Sequence, residues 1–151
     1  MLSYTGNYRS AVDDKGRIAI PVKLRKNGSE GEKFYLSPGF GIYLVLYPEA
    51  EWGTITKNLS SQPFTWTDNR NFSRYLYANT QEIALDLQGR ILIPQDYLQE
   101  ASIVKEAVVL GVGRWIEIWN PARYKAFGVR FKPKWEKVAE KIFPRSFLSG
   151  A

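Results

Sequence analysis

Apolar residues in this chain fall in short runs, most of them bounded by Gly, Pro or a charged residue. Ile18-Ala19-Ile20, Phe34-Tyr35-Leu36 and Tyr43-Leu44-Val45-Leu46-Tyr47 form one series. Ile91-Leu92-Ile93, Val108-Val109-Leu110 and Trp115-Ile116-Glu117-Ile118-Trp119 form another. Runs of this length, rich in β-branched and aromatic residues, predict strands at 18–20, 33–37, 42–47, 91–93, 106–111 and 115–119. Pro21 and Pro94 end two of them and can open a short helix at its first position. Tyr97, Leu98 and Ala101 then keep helical spacing. Pro48 begins a helix whose apolar face is Trp52, Ile55 and Leu59. The polar stretch from Ser60 to Arg70 predicts a loop, and Phe72, Tyr75, Leu76 and Asn79 a helix after it. Near the end, Pro133 opens a helix with Trp135, Val138, Ala139, Ile142 and Phe143 on one face, and Pro144 closes it. That apolar stripe must pack on something; its own core and a neighbouring subunit are both open.

The two series are copies. Ala11-Val12-Asp13-Asp14-Lys15-Gly16-Arg17-Ile18-Ala19-Ile20-Pro21 aligns without a gap on Ala84-Leu85-Asp86-Leu87-Gln88-Gly89-Arg90-Ile91-Leu92-Ile93-Pro94. Asp, Gly, Arg, both Ile and Pro recur at matching positions. Downstream, each half repeats two strands, a proline (Pro48, Pro121) and an aromatic residue (Trp52, Tyr124). The chain is therefore a tandem duplication. The first repeat is expected over 1–66, a linker or helix over 67–76, and the second repeat, with a basic C-terminal helix, over 77–151. The fold class that follows is α+β, mainly β with short helices.

Composition narrows the function. A 151-residue chain with 44% hydrophobic and 15% aromatic residues can bury a core. It has no cysteine and no histidine, which excludes disulfides, thiolate zinc sites, Ser-His triads and the commonest metal ligand. No enzyme activity, metal or cofactor is expected. The N-terminus lacks the apolar segment of a signal peptide, and no run reaches membrane-spanning length, so a soluble, cytoplasmic protein with no membrane partner is expected. The formal charge is +6 and the pI about 9.5, which suits an acidic partner such as nucleic acid. Eight Lys/Arg against two Asp/Glu between Arg123 and Arg145 account for all of that excess. A basic tail attracts phosphate without regard to sequence.

The Asp-x-x-Gly-Arg stretches read as turns between strands. Asp13 and Asp86 suit turn positions because a carboxylate can bond nearby backbone amides. Gly16 and Gly89 tolerate positive φ. Arg17 and Arg90 are the leading functional residues. An Asp-x-x-x-Arg pair can close a salt bridge that fixes the turn, and a guanidinium can bond guanine's major-groove edge or phosphate; the two roles are compatible. Lys15 adds a cation to the first turn, and its counterpart Gln88 can bond bases or phosphates. Arg25 and Lys26 follow the first helix where the second half has Leu98 and Gln99, so the first unit is expected to be the more basic around its motif. The candidate DNA-binding set is Lys15, Arg17, Arg25, Lys26, Gln88 and Arg90, supported by Asp13, Gly16, Asp86 and Gly89.

DDKGRIAIPVKLRK resembles the signature of AbrB-type swapped-hairpin domains. The tandem arrangement, with LDLQGRILIP later and with LYPEAEW at 46–52 and AVVLGVGRWIEIW at 107–119, is more similar to the MraZ family. That resemblance implies a pseudo-symmetric swapped-hairpin β barrel that interleaves strands from both halves. It implies a nucleoid-associated transcriptional regulator of the division and cell-wall gene cluster, bound to double-stranded DNA at promoter repeats upstream of its own operon. It also implies homo-oligomeric rings of about eight or more subunits. Mapped here, the implied site is Asp13, Arg17, Asp86 and Arg90, with Lys15 beside the first pair. Two other readings are an AbrB-like antitoxin or transition regulator, which usually has one motif, and a ring-forming protein scaffold, which has no evident need of an arginine at both turns.

Overall fold

The computed structural model describes residues 3–25 and 31–148, in two units, Met1–Asn120 and Pro121–Ala151. The first unit contains β1 (Asn7–Ala11), β2 (Arg17–Ala19), β3 (Lys33–Pro38), β4 (Leu44–Pro48), α1 (Glu49–Ser60), α2 (Thr67–Ala78), β5 (Gln81–Ala84), β6 (Arg90–Leu92), α3 (Gln95–Glu100), β7 (Glu106–Gly111) and β8 (Ile116–Trp119). A 3-10 turn, Val22–Leu24, stands where the second repeat has α3.

Six strands make one antiparallel sheet in the order β1-β7-β8-β4-β3-β5, and β2 pairs with β6 in a separate ribbon. Each half lends its first strand to the other: β1 pairs with β7 and β5 pairs with β3. The halves are thus interleaved, as the family resemblance implied. The class is α+β, but the sheet is open and not the expected closed barrel, with β1 and β5 as its edges. The strands that follow those edges, β2 and β6, leave the sheet and pair with each other instead.

The core lies between the ribbon and one face of the sheet. Ile18, Ile20, Ile91 and Ile93 meet Phe34, Leu36, Leu44, Leu46, Val109, Ile116 and Ile118, and all of these are buried. Period-two alternation places them on one face. The opposite face of β4, β7 and β8 is also buried, through Val45, Tyr47, Val108, Leu110 and Trp119. There Trp52 of α1 stacks on Tyr35 at 5.2 Å between ring centroids, and Glu117 accepts an indole N–H from Trp115 and another from Trp119, each at 2.9 Å. Pro48 precedes α1, and Glu49 and Glu51 in its first turn complement the helix dipole. The predicted loop at 60–70 is shorter than expected: α1 runs to Ser60 and α2 begins at Thr67.

The second unit has α4 (Pro121–Phe131), α5 (Trp135–Ile142) and α6 (Arg145–Leu148). α5 is the helix that the Pro133–Pro144 pattern predicts. α4 had no explicit prediction, although Tyr124, Phe127 and Phe131 carry helical spacing; Gly128 and Val129 weaken the propensity there. Phe127 stacks on Tyr124 and on Phe131. No described residue of this unit is buried.

The interleaving carries a charge code. Arg9 of β1 pairs with Glu106 of β7, and Lys33 of β3 pairs with Glu82 of β5 at 3.1 Å. By the repeat, Arg9 corresponds to Glu82 and Lys33 to Glu106, so the two edge pairs are the same contact with the signs reversed. If each half paired its own strands in the same register, Arg9 would lie diagonally across from Lys33, and Glu82 from Glu106. Opposed like charges destabilise a strand pair by roughly 0.2–1 kcal/mol, so the interleaved pairing is the one these charges favour. Lys33→Glu is expected to lower stability by about that amount in urea melts, and the double variant Lys33→Glu/Glu82→Lys to restore it. Additive losses in the double variant would show that the pair has no pairing role.

Candidate nucleic-acid interface

The two turns are built alike, atom for atom. In the first, Asp13 Oδ1 accepts the backbone N–H of Lys15 at 3.0 Å and of Arg17 at 2.8 Å, and Oδ2 accepts Arg17 Nε at 2.7 Å. In the second, Asp86 Oδ1 accepts the N–H of Gln88 at 2.8 Å and of Arg90 at 2.9 Å, and Oδ2 accepts Arg90 Nε at 3.1 Å. The Gly16 and Gly89 amides each donate to the carbonyl of their own Asp at 3.0 Å. The salt-bridge role foreseen for Asp13 and Asp86 is therefore present in both turns.

Each turn is finished by the other half. Ile20 N–H donates to the Gly89 carbonyl at 2.9 Å, and Ile93 N–H to the Gly16 carbonyl at 3.0 Å. Ile18 lies opposite Ile91 at the centre of the ribbon. Period-two alternation then sends Ile18 and Ile91 into the core and leaves Arg17, Ala19, Arg90 and Leu92 on the other face. This brings the arginines together: Arg90 Nη1 lies 3.8 Å from Asp13 Oδ2, so Asp13 faces both guanidiniums. Arg17 and Arg90 side chains are about a third exposed (32% and 29%). Asp13 occupies the Nε of Arg17 and leaves both Nη groups without a partner among the described residues. Arg90 Nη2 also donates to Gln88 Oε1 at 3.0 Å.

Arg25 departs from expectation. Its guanidinium lies against Gly89, so closely that a Cβ there would collide with it. The equivalent residue, Leu98, packs on Gly16. Arg25 therefore adds its charge to the second turn, and the first unit is not the more basic one around its own motif. The crossing of the halves at the ribbon is the reason: the segment after each proline lies under the other half's turn. The Arg25 Nε is buried without a hydrogen-bond partner among the described residues. Sequence spacing could not show this, because Arg25 and Gly89 come from different repeats. Lys26 lies outside the described residues. Lys15 and Gln88 are exposed at the turn tips.

The electrostatics follow from the turn geometry. The Arg17 amide, above all, holds the Asp13 carboxyl down at about 2 from an ordinary 3.8, and its side chain and the Lys15 amide add to this against the opposing effect of burial. The Arg90 amide leads the same lowering at Asp86. In both turns the amides thus favour the charged form of the carboxyl. Among the described residues no group of three or more acidic side chains could hold a metal ion, and no helix is long and apolar enough to cross a membrane.

The comparisons with known proteins agree with this duplication. The family described as "MraZ protein, putative antitoxin-like" matches twice, over residues 3–75 and 76–146. A protein named "Transcriptional regulator MraZ" from Heliobacterium modesticaldum is 37% identical over 139 residues, covering 92% of this chain and 96% of the relative. Its namesake from Syntrophomonas wolfei is 35% identical over the same shares of both chains, and that from Herpetosiphon aurantiacus 36%.

Two outcomes are expected from the turns. Gly16 has φ +87°, and a Cβ would sit 2.7 Å from the Ile93 carbonyl oxygen, which is backbone. Gly89 has φ +75°, but its obstruction is a flexible side chain. Gly16→Ala should therefore cost about 1–3 kcal/mol in a denaturant melt, and more than Gly89→Ala; the reverse order would refute the backbone clash. For pH, the folded value of Asp13 lies below the unfolded one. Its stabilisation is thus complete above 3.8 and is lost as pH falls towards about 2. Asp13→Asn should melt below the wild type at neutral pH, with the gap closing through that acid window.

Proposed function

Because the chain belongs to the MraZ family, we propose that it is a sequence-specific DNA-binding transcriptional regulator, cytoplasmic and nucleoid-associated, acting on promoter repeats upstream of its own division and cell-wall operon. The observation that carries this reading is the placing of Arg17 and Arg90 on the outer face of one ribbon, with Asp13 against both. Each is held at Nε by its own aspartate, and the Nη groups of Arg17 are free of described partners. A guanidinium fixed at one edge loses little rotamer freedom on binding and can still present a fork to guanine O6/N7 or to phosphate. Lys15, Arg25, Lys26 and Gln88 complete the interface, with Gly16, Gly89, Asp13 and Asp86 as its supports.

On this reading the halves, 1–66 and 77–151, each supply one turn, and one protomer makes only a few contacts. Self-assembly into a ring of about eight or more copies would present many such turns at once, and linked sites raise apparent affinity by a factor on the order of 10² to 10⁴ when the DNA repeats match their spacing. Exposed aromatics in the first unit support self-assembly. Phe40, 82% exposed, stacks on Phe72, and Phe64 and Trp66 are exposed nearby in sequence.

The test is fluorescence anisotropy with duplex DNA from upstream of the protein's own gene, beside a scrambled duplex, at physiological salt. The wild type should prefer the native sequence. Arg17→Ala and Arg90→Ala should each lose about tenfold or more, as for a base-contacting arginine worth roughly 1–3 kcal/mol. Equal binding of both duplexes by the wild type would reduce the protein to a non-specific binder.

A further inference from the structure

The two turns share a backbone and differ at their tips. Equivalent hydrogen bonds fix residues 13–17 and 86–90, so Asp14 corresponds to Leu87 and Lys15 to Gln88. All four are exposed, and Leu87 retains 79% of its surface. A single exposed leucine is ordinary on a protein surface. Its position here is not arbitrary: it stands at the apex of a turn, three residues from Arg90, whose guanidinium is held by both Asp86 and Gln88, with Arg25 tucked under Gly89. Gln88 Oε1 accepts from Arg90 Nη2, which steadies the amide beside Leu87 and leaves its NH₂ group to donate elsewhere.

We infer that the turns divide the work, the second reading an A·T base pair by placing Leu87 on the thymine methyl with Gln88 on the adenine, and the first anchoring on phosphate through Lys15. The inference rests on the proposal that this face meets DNA. The thymine 5-methyl is the one apolar group on the major-groove edges, and Gln is the side chain whose amide matches adenine N6 and N7. A leucine and a glutamine adjacent at one tip meet both halves of one base pair. The first tip cannot do this: Asp14 is repelled by the backbone phosphates and offers nothing to a methyl group, whereas Lys15 is a mobile point charge suited to phosphate.

The full-length protein first selects duplexes from a random pool. The enriched duplex is then resynthesised with deoxyuridine for every thymidine, which removes only the methyl groups, and both are titrated by anisotropy. The wild type should bind the uracil duplex about fourfold more weakly per site, the value of one buried carbon. Leu87→Ala should bind both duplexes alike, and Leu87→Asp, which copies the residue already tolerated in the first turn, should do the same. Asp14→Ala should keep the wild-type ratio. Equal wild-type affinities for the two duplexes would overturn the inference, as would a ratio that persists in both Leu87 variants. Failure to enrich any duplex would instead remove the DNA-binding proposal itself.

Discussion

Everything at the candidate site depends on the reciprocal closure of the two turns. Ile20 of the first half bonds the Gly89 carbonyl and Ile93 of the second bonds the Gly16 carbonyl, with Ile18 and Ile91 fully buried between them. Neither half completes its own ribbon strand: each donates one backbone bond to it, Asp13 to the Arg17 carbonyl and Asp86 to the Arg90 carbonyl, and the other half supplies the rest. A one-residue slip of β2 against β6 would turn Ile18 out and Arg17 into the core, so the apolar pattern and the hydrogen bonds fix one register together. That register places Arg17 and Arg90 near one another and lets Asp13 face both.

Duplication within one chain lets the halves diverge while the pairing is kept. Identical halves would be restricted to self-complementary contacts. Here the edge pairs are charge-reversed, Arg9 with Glu106 and Glu82 with Lys33, and the residue beneath each turn differs, Leu98 under Gly16 and Arg25 under Gly89. Each exposed ion pair contributes little by itself. Their value lies in opposing the alternative in which each half folds on its own strands.

The turns are also ordered in advance of the polyanion that the proposed function brings to them. Asp13 and Asp86 take up the Nε of their arginines and the amides of the turn, so little order remains to be imposed on binding. The excess positive charge lies elsewhere, between Arg123 and Arg145 of the second unit, and a charge of that kind suits phosphate without regard to sequence. On the proposed function, local reading by the turns and general attraction by the tail are separate in the chain.

The duplication, six of the eight strands, the Asp-Arg pairs and the turn glycines were legible in the sequence, because each is encoded by residues within a few positions of one another; β1 and β5 were not, because Asn7–Ala11 and Gln81–Ala84 carry no apolar run. Short apolar runs marked those six strands, and Asp-x-x-Gly-Arg marked the turns down to the carboxylate that bonds them. Three further things were not legible: that β1 and β5 remain open edges, that Arg25 serves the second turn, and that Asp13 faces Arg90. Each depends on which distant segments meet. A strand's pattern states which face is buried and leaves open against what, and the position of Arg25 relative to Gly89 exists only once the halves cross. The sequence by itself determined the local elements and their chemistry; the tertiary structure decided partnership, because burial and backbone pairing are satisfied jointly by segments that no local pattern connects.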